Sequence, residues 1–81
     1  MFDMKAFLEF NDKYHPKLTG MARDGSFVLL AAVGEAAQFR MPTEIWDSAV
    51  NDELVEELVG PGTNAWGLGD PGYAMLKELQ A

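Results

Sequence analysis

One histidine, thirteen carboxylates and no cysteine are the reacting groups this chain holds. Without cysteine there is no thiolate nucleophile and no Cys-based metal site. His15 alone cannot build a His-rich metal site. It could act by itself as an acid or base, but beside Pro16, at the end of an expected helix, it reads better as a cation complementing the helix dipole. Neither Ser26 nor Ser48 has a matched base in the sequence. Paired carboxylates formally permit glycosidase-like chemistry, which needs a cleft for a sugar chain that 81 residues seldom provide. A calcium loop needs acids alternating over about twelve residues, and none do. The expectation is a protein that is not an enzyme, with no catalytic residue, cofactor or metal.

The stretch "GLGDPG", Gly67 to Gly72, matches the glycine fingerprint of dinucleotide-binding folds. Such a site needs a strand leading in, a long helix leading out, and an acid about 20 residues on for the ribose. Here "VGPGTNAW" precedes, which reads as loop, and nine residues follow Gly72. Asp70 would set a negative charge where the pyrophosphate belongs. The six residues read instead as a loop entering a helix, with Asp70 as N-cap and Pro71 at the first helical position.

One charged feature stands out. Residues 1–40 hold five acids and five bases; residues 41–81 hold eight acids and only Lys77. Six acids (Glu44, Asp47, Asp52, Glu53, Glu56 and Glu57) fall between 43 and 59 with no base among them. A solvated helix face accounts for them, with Asp52 and Glu53 suiting a helix N-terminus. Against that, Asp52/Glu56 and Glu53/Glu57 are like-charge i,i+4 pairs, each costing about 0.2–0.5 kcal/mol. A single-sign field also steers toward a basic surface. Direct binding to nucleic acid or anionic membrane is disfavoured by the same charge.

These residues need elements to position them. Asp3 caps a helix over 3–14, whose Met4, Phe7, Leu8 and Asn11 share a face with Phe10 and Tyr14 alongside. Pro16 stops it. Asp24-Gly25 and Gly34-Glu35 suit two-residue type I′ and II′ turns, giving strands at about 18–23, 26–33 and 36–41. That register gathers Met21, Val28, Leu30, Ala32, Ala37, Phe39 and Met41 on one apolar face and leaves Phe27, Leu29, Val33, Gln38 and Arg40 on a mixed one. Thr43 reads as the N-cap of a helix that breaks near Asn51, because the apolar phase reverses there. A second short helix, 52–59, would carry Asp52, Glu53, Glu56 and Glu57 on one side and Leu54, Val55 and Leu58 on the other. Residues 60–70 form a glycine-rich loop around Trp66, which either plugs the core or anchors a partner. A last helix over about 71–80 turns Met75, Leu76 and Leu79 inward.

The expected fold is therefore a single α+β domain over 1–81: a helix, a three-stranded antiparallel meander, then two or three short helices on one sheet face. No signal peptide is legible, and the longest apolar run, 27–33, is far below the ~20 residues that span a bilayer. Absence of cysteine favours a reducing, cytoplasmic setting. The expected function is binding: a monomeric or homodimeric inhibitor or adaptor occupying the basic surface of a nucleic-acid-handling protein through Glu44, Asp47, Asp52, Glu53, Glu56, Glu57 and Trp66. In size and acidity it is similar to phage-encoded inhibitors, anti-CRISPR proteins among them, and to nuclease immunity proteins, a likeness of composition alone. The rival expectation is an assembly subunit associating through the mixed sheet face.

Overall fold

The computed structural model describes residues 2–81. A helix, α1 (Met4–Tyr14), leads into strands β1 (Lys17–Met21), β2 (Phe27–Ala31) and β3 (Gln38–Pro42). Then follow α2 (Thr43–Asn51), β4 (Val55–Glu57), β5 (Trp66–Leu68) and α3 (Asp70–Gln80). The first three strands form an antiparallel sheet in the order β1-β2-β3, and β4 pairs with β5 in a second, two-stranded one. The α+β architecture is the one expected.

Local chemistry explains α1. The Asp3 carboxylate accepts the Ala6 N–H at 3.0 Å, satisfying one of the donors every helix start leaves free. Phe7, Leu8 and Asn11 are buried along one stripe. His15 ends the helix in the left-handed region, φ 47°, because Pro16 bars it from continuing in α.

The β2–β3 register is the expected one, with Val28 opposite Met41 and Leu30 opposite Phe39. Val28, Leu30 and Met41 are fully buried. The hairpin turns differ. Ala22 and Phe27 close the first loop, and its turn bond runs from the Gly25 N–H to the Ala22 carbonyl at 2.9 Å. Arg23-Asp24 are thus the central residues, and Gly25, φ 73°, follows them. In the second loop Glu35 N–H bonds the Ala32 carbonyl at 3.1 Å. Gly34, φ 82°, is therefore third in its turn, where type II demands a positive φ. Both loops open earlier than expected, so the strands are shorter and Val33 is 76% exposed.

Met21 lies opposite Val28 as expected, but the register shifts between Leu18 and Gly20. The bulge brings Leu18 opposite Leu30 and so onto the core face, where it packs against the buried cluster. A regular strand would have turned it the other way.

Two helix starts depart from expectation. Pro42, not Thr43, occupies the cap of α2 and offers no side-chain acceptor; Thr43 is the first helical residue. Gly69, not Asp70, caps α3, which moves Pro71 to the second position. In α3 Leu76 is buried and Met75 half-buried, but Leu79 is 44% exposed.

The largest departure is at 52–59, which is not a helix. After α2 the Leu54 N–H bonds the Ala49 carbonyl at 2.9 Å and the Glu53 N–H bonds the Val50 carbonyl at 3.2 Å. Glu53 sits at φ 60°. These are the two bonds and the left-handed residue of a Schellman ending, with Leu54 packing near Ala49 as its apolar contact. The chain leaves in extended form, and Val55 pairs with Leu68, Glu56 with Gly67 and Glu57 with Trp66. Residues 64–66 also pair with the start of β1, through Leu18 N–H to Asn64 O and Trp66 N–H to Pro16 O, both 2.8 Å. That seam joins the two sheets.

The core is one cluster of Phe7, Leu8, Val28, Leu30, Met41, Trp46, Ala49, Leu54, Val55, Leu68 and Leu76. An aromatic line crosses it: Phe10 to Phe39 at 5.5 Å, Phe39 to Phe7 at 5.9 Å, Phe7 to Trp46 at 6.2 Å and Trp46 to Trp66 at 4.9 Å between ring centroids. Their tilted and edge-on angles are those aromatic quadrupoles prefer.

Candidate protein-binding surface

The acidic residues lie on α2, on the turn that ends it, and on β4. Glu44 and Asp47, three apart on α2, are both exposed, while Trp46 and Ala49 of the same helix are buried. Asp52 caps the helix C-terminus and Glu53 follows it; both are exposed. Glu56 is exposed on β4, and Glu57 is half-buried.

This differs from the shared helical face read from the sequence. Neighbours on a strand point to opposite sides, so Glu56 and Glu57 are not co-facial. Asp52 and Glu53 also lie at the negative end of the α2 dipole, the reverse of the N-terminal position expected for them. The last turn of α2 carries no base to offset them.

Glu57 is occupied within the chain. Its Oε2 accepts the N–H of Asn64 at 2.9 Å and of Gly62 at 3.2 Å. Thr63 Oγ1 donates to the carbonyl of Leu58 at 2.7 Å, and Leu58 N–H bonds Ala65 O at 2.7 Å. The loop from 58 to 65 is thereby held in one shape. Near its start Val59 is fully exposed, with φ 72°, a conformation β-branched residues strongly avoid. Sequence reasoning did not reveal this clamp, since its donors lie five and seven residues from the acceptor.

Trp66 is half-buried against the core, edge-on to Trp46, and its Nε1 is buried without a hydrogen-bond partner. It sits opposite Glu57 in the β4–β5 pair. The plug reading describes its packing, and the remaining part of its surface adjoins the acidic strand.

No family model, curated protein or solved structure matches this chain.

The glycine stretch has its own account. β5 leads directly into α3, so a short strand does precede the helix. A side chain on Gly69 or Gly72 would overlap the backbone carbonyls of Glu53 and Leu54 respectively. One on Gly67 would lie 3.1 Å from His15 Nδ1. The close backbone approach these glycines allow is made by the chain's own α2–β4 turn, and the Gly69 N–H bonds the Leu54 carbonyl at 3.0 Å. His15 itself is exposed at the end of α1. Among the described residues no group of three or more metal-ligating side chains converges. No helix among them is long and apolar enough to cross a membrane.

Proposed function

We propose that this chain is a small acidic inhibitor or adaptor that occupies a basic, nucleic-acid-binding surface of a partner protein. The observation that carries the reading is the placement of Asp52 and Glu53. A helix C-terminus favours cations, and a left-handed position favours glycine. Here two exposed carboxylates stand at the helix's negative end, and one of them, Glu53, also holds the left-handed position. Local stability does not account for that choice, whereas presentation of negative charge does. Glu44, Asp47 and Glu56 extend the same sign, and no base lies between residues 41 and 76. Carboxylates so arranged can stand in for phosphates, and the attraction is electrostatic and screened by salt.

The test is retention of proteins from lysate at low and high salt. The native chain is compared with a variant carrying Glu44, Asp47, Asp52, Glu53 and Glu56 as lysine, and Glu57 is kept because it holds the loop. A nucleic-acid-binding protein retained by the native chain should be released by salt and by added nucleic acid, and be absent from the variant. Identical retention by both chains would sink the proposal.

A further inference from the structure

The sheet has a second face. The core side of β1–β3 is covered by α1 and α2, whereas Phe27, Leu29 and Ala31 of β2 point to the other side with Gln38, Arg40 and Pro42 opposite them on β3 and Lys17 opposite Ala31 on β1. The three apolar residues are only half-buried, although they occupy the central strand. They form a stripe about 13 Å long at roughly 3.3 Å per residue, and sheet faces of this kind are covered by a second layer.

The charge on this face is opposite to that of the molecule. The chain carries a net charge of −7, yet β1, β2 and β3 contain no acidic residue and two bases, Lys17 and Arg40, both exposed. Arg40 is held in place: its Cζ lies 3.9 Å over the Phe27 ring. A guanidinium resting on an aromatic ring keeps its N–H edge free for a carboxylate and loses less entropy on binding one. Beside it opens a cleft of about 330 Å³ lined by Ser26, Phe27, Arg40, Met41 and Pro42.

We infer that this face docks an acidic amphipathic helix of a partner chain. Its apolar side lies along Phe27, Leu29 and Ala31, one flanking carboxylate meets Arg40, and a carboxylate on the other flank meets Lys17. A second copy of this chain packed face to face would bring its own Arg40 and Lys17 against the same cations, which charge disfavours. The surface is distinct from the acidic one on α2 and β4, so the two sites together would join a basic partner to an acidic one.

The probe is a fluorescein-labelled synthetic helix with leucine on one side and glutamate on both flanks, beside a counterpart with lysine for glutamate. The glutamate helix should bind and shift amide resonances of β2 and β3. Arg40→Gln should weaken it about five- to tenfold, with an otherwise unchanged amide spectrum showing that the fold is intact. Glu78→Lys, exposed on α3 and part of neither surface, should leave binding unaltered. Equal binding of both helices, binding of neither, shifts confined to other elements, or sedimentation as a dimer that buries Leu29 would each overturn the inference. None of those results bears on the acidic surface, whose test uses different residues.

Discussion

Replacing Glu53 by glycine separates what the backbone wants at the end of α2 from what the surface presents. Glu53 holds φ 60° in a Schellman ending, and a left-handed conformation costs a non-glycine residue about 1–2 kcal/mol. Removing its charge from the negative end of the helix dipole adds about 0.3 kcal/mol. Glycine's greater freedom in the unfolded chain offsets about 0.5–1 kcal/mol of this. The net is a stabilisation of about 1 kcal/mol, or a rise in Tm of about 4–8 °C for a domain this small. Thermal and urea unfolding of the native chain, Glu53→Gly and Glu53→Gln are the assays. Glutamine keeps the backbone strain and removes only the charge, so it should gain no more than about 0.3 kcal/mol. If glycine is no better than glutamine, the backbone argument fails. The same variant should also retain less of a basic partner, so stability and binding should move in opposite directions.

Four further outcomes are expected. Gly72→Ala sets a methyl group against the Leu54 carbonyl and should lower stability by about 1–3 kcal/mol, read from the urea midpoint. Glu57→Ala frees the Gly62 and Asn64 amides; hydrogen exchange at both should quicken, with a loss of about 1 kcal/mol. Asn11 is fully buried; its amide donates to the Phe7 carbonyl at 2.9 Å while Oδ1 has no partner. Asn11→Leu should therefore raise Tm by an amount corresponding to about 1 kcal/mol. The Ser26 side chain, aided by the Ser26 N–H, holds the Asp24 carboxyl below its ordinary value of 3.8. A depressed carboxyl stabilises the fold above its unfolded pKa and loses that contribution as pH falls through its folded pKa. A carbon-detected titration should find Asp24 titrating higher in Ser26→Ala.

The parts of the fold legible in the sequence are those decided over short spans. Asp3 and Pro16 bound α1, and the alternation of Val28 and Leu30 against Phe39 and Met41 sets the sheet register, since any slip would expose half of them. Residues 52–59 were not legible for the same reason in reverse. The doublets Leu54-Val55 and Leu58-Val59 suit a helix by period. Their strand conformation depends on a left-handed Glu53 and on pairing with Trp66-Gly67-Leu68, neither of which local propensity registers. The exposure of Glu44, Asp47, Asp52, Glu53 and Glu56 follows from their charge. Their distribution over a helix, a turn and a strand follows from that pairing, and so was hidden along with it.

The packing of α1 against α3 and β5 bears on how the chain matures during synthesis. The first helix meets its neighbours on one flank only after residues 66–80 exist, some 65 residues after it is made. At roughly 5–20 residues per second that interval is about 3–13 s. During it the meander can gather the aromatic side of α1 onto Phe39, while the opposite flank stays open to solvent and to chaperones. The interior is thus closed by α3, and a polypeptide stalled before Gly69 would hold all five strands with α1 and α2 but no finished interior.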